Sequence, residues 1–273
     1  MTVTVTAPSA TPTACLVRTP REDAPLRLFC FHHAGGGASF FAPWHGRVVP
    51  EVDVVPVQLP GRESRFRERR FHDVRTLAEA LDRELAPWLD RPYAVYGHSM
   101  GALVAFTLVT ARIRAGGRAP HTLFVGAYAA PHLTPALPSA DGYADDELAR
   151  FLVDIGGLSP QFLGRPDWLR AMLPVVRDDL RICASHDRAG LPDPADPEVR
   201  LPLDVQAFAG ADDQLVAADG VRAWERYARR FEMTTVPGGH FFPREAPDAF
   251  FDVLNRSLTG LIRGPGGRRG ERG

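Results

Sequence analysis

The chain has 273 residues, 45% of them hydrophobic and 24% charged, which is typical of a soluble globular protein. A formal net charge of −1 gives no electrostatic reason to expect nucleic acid or an acidic membrane as a partner, and no stretch has the roughly 20 consecutive apolar residues of a membrane span. The three cysteines are too scattered for a disulfide framework or a CxxC zinc motif. We therefore expect a reduced, cytoplasmic protein.

The first half of the chain predicts short strands that alternate with helices. After residues 1–20, a Thr-, Ala- and Pro-rich segment that we expect to be a loose arm, the apolar runs Leu26–Phe31 and Val52–Leu59 indicate strands. One face of the next helix is marked by leucines spaced four apart, Leu77, Leu81, Leu85 and Leu89. The segments YAVY, MGALVAFTLVTARIRAG and HTLFVGAY then predict a strand, a helix that ends at Gly116, and another strand.

Residues 131–201 interrupt this alternation. The segments DDELARFLVDI and DWLRAMLPVVRDDLRI have helical patterns, their joints are rich in Pro and Gly, and no run is typical of a strand. We expect an insertion that lies over the edge of the sheet, either as inert decoration or as part of a site. The core would then comprise residues 21–130 and 202–262.

The alternation returns after the insertion. LDVQAFAG, DGVRAWERYARRF, EMTTV and APDAFFDVLNRSLTGLI predict a strand, a helix, a strand and a final helix, before a Gly- and Arg-rich tail, residues 263–273, that we expect to be disordered. Nearly continuous apolar strands alternating with helices indicate an α/β fold, a mainly parallel sheet with helices on both faces.

The segment GHSMG is the strongest chemical signal in the chain. Gly97, Ser99 and Gly101 fit the pattern G-x-S-x-G, directly after a predicted strand and directly before a predicted helix. That context is typical of a nucleophile elbow, in which the serine projects from the carboxyl edge of the sheet above the positive end of a helix. We interpret Ser99 as a nucleophile; the alternative is a chance match.

A serine hydroxyl needs a base, and the base needs an acid that orients it. His240, in the segment VPGGHFF, lies in a glycine-hinged loop after the last predicted strand, where it can reach the elbow. The segment AFAGADDQLV offers Asp212 and Asp213 as the acid. The pattern G-x-x-D favours Asp213, with Asp212 as a turn cap or as its substitute.

Acyl transfer also needs hydrogen-bond donors for the developing oxyanion. We expect the amide of Met100, next after Ser99, and the amide of Ala34, in the glycine-rich loop FHHAGGGASFF, to be these donors. His32 and His33 in the same loop could suggest a metal pair, but adjacent side chains point apart and no third ligand is in view. The sequence therefore predicts no metal site.

Five ordered motifs, FCFHHAGGGASFF, VQLPGRESRFRE, PYAVYGHSMGALVAF, GADDQLV and PGGHFFP, resemble those of a type II (external, editing) thioesterase. These α/β-hydrolases accompany polyketide synthases and nonribosomal peptide synthetases, and the resemblance covers about residues 26–261. It implies hydrolysis of acyl groups carried on the phosphopantetheine arm of an acyl or peptidyl carrier protein. It also implies Ser99, Asp213 and His240 as the triad, Ala34 and Met100 as the oxyanion hole, and the insertion as a mobile helical lid.

The resemblance further implies that the enzyme has no cofactor of its own, because the phosphopantetheine belongs to the carrier protein, and we expect a monomer. Three positions depart from the family pattern. His32 stands where a proline is usual, Tyr128 where an arginine is frequent, and His186 where an aromatic residue is commoner. The last two fall at or inside the insertion, so they bear on substrate preference rather than on the chemistry.

The arginine-rich loop Gly61–Arg70 could contact a phosphate or an acidic carrier protein, or could pair its arginines internally with Glu63 and Glu68. Other functions stay open on the same motifs. An acyltransferase or shuttle would pass the acyl group from Ser99 to another carrier protein, a general esterase would take oxygen esters, and a non-catalytic binder would only hold the carrier. A complete serine, acid and histidine set argues against the binder.

Overall fold

Six strands form one parallel sheet in the computed structural model, which describes residues 13–133, 140–186 and 200–264. Their order across the sheet is β2-β1-β3-β4-β5-β6, and every neighbouring pair is parallel. In chain order, β1 to β6 are Leu26–Phe31, Val52–Pro56, Tyr93–His98, Thr122–Gly126, Asp204–Gly210 and Arg230–Val236. All the carboxyl ends of these strands therefore lie at one edge of the sheet, and the predicted parallel sheet is confirmed.

Helices cover both faces of this sheet. In the described ranges, α1 to α7 are Val74–Leu85, Met100–Arg114, Asp145–Asp154, Pro166–Ser185, Ala218–Arg222, Phe242–Glu245 and Pro247–Arg263. Successive strand side chains point to opposite faces, so Phe29 and Phe31 of β1 pack with α1 and α2, whereas Leu28 and Cys30 pack with α7. None of the described helices has both the length and the apolar character that a membrane crossing requires.

The leucine stripe predicted for α1 faces the core, but the helix is shorter than predicted. Its N-terminus is capped by Asp73, whose Oδ1 accepts a hydrogen bond from the Thr76 amide at 2.9 Å. The helix ends at Leu85 and tightens into a 3-10 turn, Ala86–Trp88, that contains Pro87. A proline has no amide hydrogen and its ring collides with the preceding turn, so the α-helix cannot continue.

Part of the segment 13–20 lies against the core, so the predicted loose arm is wrong for Cys15 and Leu16. Cys15 and Leu16 are buried, Leu16 forms an antiparallel bridge with Val57, and the carbonyl of Cys15 accepts from the amide of Gln58 at 2.8 Å. A single bridge therefore joins this segment to the residue that follows β2, a contact that no local sequence pattern indicates. Residues 1–12 and 265–273, where we predicted the rest of the arm and the tail, lie outside the described residues.

The described part of the insertion consists of α3, α4 and a 3-10 turn between them, as the helical patterns predicted. The two helices share a small apolar cluster that includes Leu148, Leu173 and Leu180, and α4 also contacts α1 and α2. At the base of the insertion, the Nε2 hydrogen of His186 is donated to the carbonyl of Pro131 at 2.8 Å. That bond joins the first residue of the insertion to the residue that follows α4.

Candidate active site

Ser99 occupies the turn between β3 and α2 in a conformation that non-glycine residues avoid. Its backbone has φ 54° and ψ −124°, and its amide donates to the carbonyl of Gly126 at the end of β4 at 2.8 Å. Such a conformation is costly and persists only where the surrounding structure holds it. The turn therefore presents the Ser99 hydroxyl at the carboxyl edge of the sheet, as the motif predicted.

The two glycines of GHSMG are required because β3, α2 and β1 approach too closely for a side chain. A Cβ atom at Gly97 would lie 2.2 Å from the carbonyl oxygen of Gly101. A Cβ atom at Gly101 would lie 2.1 Å from the carbonyl oxygen of Phe31. Both separations are far inside van der Waals contact, and both involve backbone atoms that cannot turn aside. The spacing of the motif thus follows from the packing of three segments.

The structure brings the three predicted site residues into one hydrogen-bonded chain. His240 Nε2 is 2.9 Å from Ser99 Oγ, and His240 Nδ1 is 2.9 Å from Asp213 Oδ2. An ionised carboxylate can only accept, so Nδ1 carries the imidazole hydrogen and Nε2 is left to accept the hydroxyl proton. Ser99 follows β3, Asp213 follows β5 and His240 follows β6, so the parallel sheet itself collects them at one edge.

Of the two candidate acids, Asp213 makes the bond to His240. Its Oδ1 also accepts from the amides of Leu215 and Val216 at 2.9 and 3.0 Å. Burial disfavours the charged form, but the hydrogen bond and charge of His240 and the two amides outweigh it, so the pKa of Asp213 lies below its ordinary value. Asp212 is exposed, and its amide donates to the carbonyl of Gly238 at 2.9 Å.

His98, the second residue of GHSMG, links the elbow to the histidine loop, a role that sequence reasoning missed. Its Nε2 hydrogen is donated to the backbone carbonyl of His240 at 2.8 Å, and its Nδ1 accepts from the Tyr96 hydroxyl at 2.9 Å. The ring is fully buried, which lowers the pKa of His98 well below its ordinary value, so the imidazole stays neutral. The residues around His98 have the ordinary pattern of a strand, so nothing in the sequence indicated its bond to His240, 142 positions away.

A cavity of about 330 Å³ opens above Ser99 and His240, between the sheet edge and the insertion. Its walls are mainly apolar side chains of α3, α4 and the segment between them, including Leu148, Phe151, Leu158, Met172, Val176 and Leu180. A larger open hollow of about 1310 Å³ borders Thr122, Asp204 and Arg230, the first residues of β4, β5 and β6. It therefore lies at the opposite edge of the sheet, away from the hydrogen-bonded chain.

The residues predicted to supply oxyanion donors lie beside the nucleophile. Ala34 lines the same cavity as Ser99, in the turn that follows β1, and Met100 is the first residue of α2. The next amide in that turn, Gly35, is already bonded to the Asp179 carboxylate at 2.7 Å. Both predicted donors therefore belong to segments that border the cavity at Ser99.

The histidine pair of the glycine-rich loop has no metal-binding geometry. His32 is buried, donates from Nδ1 to the carbonyl of His33 at 2.9 Å, and has a pKa lowered to about 3 by burial and by the Arg62 charge. His33 packs its ring against Phe40 and Phe241. Across the described ranges, no group of three or more His, Cys, Asp and Glu residues is placed to hold a metal ion.

The arginine-rich loop pairs three of its arginines with carboxylates of this chain, but only the pair of Arg65 with Glu68 lies inside the loop, as one of the two hypotheses from the sequence predicted. Arg62 forms a bidentate pair with Asp179 at 2.5 and 2.8 Å, and Arg70 pairs with Asp178 at 2.5 Å. Arg65 pairs with Glu68 at 2.6 Å. Asp178 and Asp179 both belong to α4, so this loop fastens the insertion to the core.

Tyr128 and His186, the two departures that we linked to substrate preference, are absent from the described residues that line the cavity. The carbonyl of Tyr128 accepts from the indole Nε1 of Trp224 at 2.8 Å, and His186 bonds Pro131. His186 therefore joins the two ends of the insertion, whereas the backbone of Tyr128 bonds the core. A departure from the family pattern does not by itself show whether the residue lines the cavity or packs behind the residues that do.

The fold and the site together define an α/β-hydrolase: a parallel sheet carries a hydrogen-bonded serine, histidine and aspartate at its carboxyl edge, beneath a helical insertion. The thioesterase domain family model matches residues 26–258, and the chain belongs to that family and is a thioester hydrolase.

Relatives agree with this assignment. The chain is 31% identical to the gramicidin S biosynthesis protein GrsT of Aneurinibacillus migulanus, over 89% of this chain and 92% of the relative. It superimposes with a TM-score of 0.79 on RedJ, a thioesterase from the prodiginine pathway of Streptomyces coelicolor, at 36% identity over 94% and 97% of the two chains. BorB, a type II thioesterase from the borrelidin cluster, gives 0.77 at 30% identity over 92% and 100%.

These relatives confirm the predicted resemblance to type II thioesterases and the α/β-hydrolase fold. The relatives named for gramicidin S, prodiginine and borrelidin come from antibiotic and related biosynthetic pathways. The chain is therefore a thioesterase of the kind found with nonribosomal peptide and polyketide systems.

Proposed function

We propose that this thioesterase hydrolyses acyl groups from the phosphopantetheine arm of acyl or peptidyl carrier proteins, as an editing enzyme, with Ser99, His240 and Asp213 as its catalytic triad. The observation that carries the proposal is the Asp213–His240–Ser99 hydrogen-bonded chain at the floor of an apolar cavity. The pathways named for the relatives support a carrier-bound substrate. We further propose that the enzyme acts in the cytoplasm as a monomer and needs no cofactor of its own.

The first half of the reaction forms an acyl-enzyme. His240 Nε2 takes the hydroxyl proton as Ser99 Oγ bonds to the thioester carbonyl carbon, and the carbonyl oxygen becomes an oxyanion held by the amides of Ala34 and Met100. Collapse of this intermediate breaks the carbon–sulfur bond, and the departing pantetheine sulfur takes the proton from His240. Asp213, ionised because its pKa is depressed, stabilises the imidazolium that exists between these steps.

The second half releases the acid. Water enters, His240 Nε2 takes one of its protons, and the oxygen attacks the ester carbonyl of the acyl-enzyme. Collapse of the second intermediate breaks the bond to Ser99 Oγ, which recovers the proton from His240. The apolar walls that α3 and α4 supply favour an acyl chain in the cavity, because a charged or strongly polar group would lose its hydration there without replacement.

Intact-protein mass spectrometry of loaded carrier proteins tests the proposal. Carriers bearing acetyl, propionyl, butyryl or a long acyl chain would be mixed with the wild type or with Ser99→Ala. We expect loss of the acyl mass and appearance of the free acid with the wild type only. An acyl mass that reappears on a second carrier would instead indicate an acyltransferase or shuttle, and an unchanged acyl-carrier with a measurable complex would indicate a non-catalytic binder.

The two adjacent aspartates give a matched pair for the role of the acid. Asp213→Asn is expected to reduce kcat by about 10⁴-fold, because an amide in this position favours the wrong imidazole tautomer and cannot stabilise the imidazolium. Asp212→Asn alters an exposed side chain of the same size and is expected to leave kcat near the wild-type value. Steady-state hydrolysis of a butyryl thioester measures both; equal losses in the two variants would contradict the assignment of Asp213.

A further inference from the structure

Two adjacent carboxylates of α4 bond the arginine-rich loop but lie in different surroundings. Asp178 is 6% exposed, and its partners Arg70 and Arg181 are 30% and 39% exposed. Asp179 is completely buried, and its partner Arg62 is 7% exposed. Both carboxylates therefore fasten α4, and Asp179 is the one with a buried partner.

The Asp179 carboxylate joins three separate segments of the chain. Its Oδ1 accepts from Arg62 Nη2 at 2.8 Å, and its Oδ2 accepts from Arg62 Nη1 at 2.5 Å. The same Oδ2 accepts from the backbone amide of Gly35 at 2.7 Å. One buried side chain of the insertion thus connects α4, the arginine-rich loop and the turn that carries Ala34.

The contact of α4 with this turn is direct and close. Gly35 has φ +74°, and a Cβ atom there would lie 2.7 Å from the Cγ2 atom of Val176, one helical turn before Asp179. The turn itself is closed by the Gly36 amide, which donates to the carbonyl of His33 at 3.1 Å. A shift of α4 would therefore remove both a packing surface and a charged hydrogen-bond acceptor from Gly35.

We propose that Asp179 is a positioning residue that couples the seating of α4 to the geometry of the oxyanion site. The inference rests on the proposed function, in which the amide of Ala34 stabilises the oxyanion. While α4 is seated, Asp179 fixes the peptide after Ala34 and so aims the Ala34 amide at the reacting carbonyl. When α4 lifts, Gly35 loses its acceptor and the donor loses its alignment, so rapid attack on the thioester requires a seated insertion.

A pair of double variants isolates the bond to Gly35. Arg62→Met with Asp179→Leu replaces the buried ion pair by apolar side chains, which avoids an unpaired buried charge, and removes the acceptor for Gly35. Arg62→Met with Asp179→Asn also removes the ion pair but keeps a side-chain oxygen that can accept from Gly35. Hydrolysis of butyryl-N-acetylcysteamine, a small thioester that needs no carrier docking, gives kcat and KM, and thermal melting checks the fold.

We expect the leucine double variant to lose about 10- to 100-fold in kcat with little change in KM, since a misaligned donor acts on the transition state. The asparagine double variant should recover at least part of that loss. Affinity for butylboronic acid, whose tetrahedral adduct with Ser99 places an oxygen in the oxyanion site, should fall with kcat across the series. Affinity for butyrate, which forms no tetrahedral adduct, should not fall. Asp167→Asn, at an exposed α4 carboxylate whose partner Arg170 belongs to the same helix, should keep both kcat and boronate affinity.

Equal losses in the leucine and asparagine double variants would overturn the proposal, as would a fall in kcat without a fall in boronate affinity. If the leucine variant does not fold, Arg62→Met with Asp179→Ala supplies the second test, because alanine also removes the acceptor; retention of full kcat, or of full boronate affinity beside a reduced kcat, overturns the proposal there too. Failure of the proposed function is distinguishable, because the wild type would then release no free acid from butyryl-carrier protein, or Ser99→Ala would still hydrolyse it, whatever the Asp179 variants do.

Discussion

Replacement of Ser99 by alanine is expected to abolish thioester hydrolysis, with a loss in kcat of about 10⁴-fold or more. The hydroxyl oxygen is the atom that forms the covalent bond, and its partner His240 Nε2 lies 2.9 Å away. His240→Ala should cause a similar loss, because the serine then has no base. Hydrolysis of acylated carrier protein, followed by mass spectrometry of the carrier, measures both.

The decisive feature is non-additivity. Since Ser99 and His240 act as one unit, the double variant should be hardly slower than either single variant. Ser257→Ala provides a matched control, because its hydroxyl bonds only the carbonyl of Val253 within α7, and it should keep wild-type kcat. Multiplicative losses in the Ser99 and His240 variants would contradict a shared catalytic role.

The same position also predicts a gain in stability. Ser99→Gly should be as inactive as Ser99→Ala but more stable than it by about 1 kcal/mol, because glycine adopts φ 54° and ψ −124° without the strain that any Cβ atom imposes. Urea titration of the two inactive variants gives the difference in the free energy of unfolding. Equal stabilities would show that the turn holds no strain at this residue.

A second large effect, on the stability of the fold, is expected when a glycine of the elbow is replaced by alanine. Gly101→Ala, in the first turn of α2, should destabilise the protein by about 3 kcal/mol or more, since the new methyl group would lie 2.1 Å from the carbonyl oxygen of Phe31. Activity should fall with it, because any relief of the clash displaces the elbow. The Phe31 carbonyl belongs to the end of β1 and cannot move without disturbing the sheet.

Gly260→Ala is the matched control and should have the opposite sign. Gly260 lies in α7, is exposed, and a Cβ atom there meets nothing within 4 Å. Alanine should therefore stabilise the protein by about 0.5–1 kcal/mol, the difference in helix propensity. Thermal or urea unfolding of the two variants measures both changes. Similar effects from the two substitutions would contradict the packing argument.

The sequence alone predicted the parts of the site that local pattern and chain order control. The elbow is recognisable because close packing between consecutive elements requires its glycines. Both glycines lie in the five-residue segment GHSMG, so the motif is visible in the local sequence. Asp213 and His240 follow because each comes directly after a strand, and parallel strands bring such positions to one edge. Hydrophobic periodicity likewise predicted the alternation of strands and helices and the helical character of the insertion.

The tertiary structure decided what depends on contacts between distant segments. Three contacts join positions that share no local pattern: the bridge of Leu16 with Val57, the bond from His98 to the His240 carbonyl, and the bond from the Gly35 amide to Asp179. In the sequence, polar side chains such as these cannot be distinguished from exposed charged residues or ordinary strand residues. The sequence does not indicate which distant group each of them bonds. The spacing of apolar residues and of glycines predicts the local conformation of the backbone. The partner of a buried polar group depends instead on how the whole domain packs.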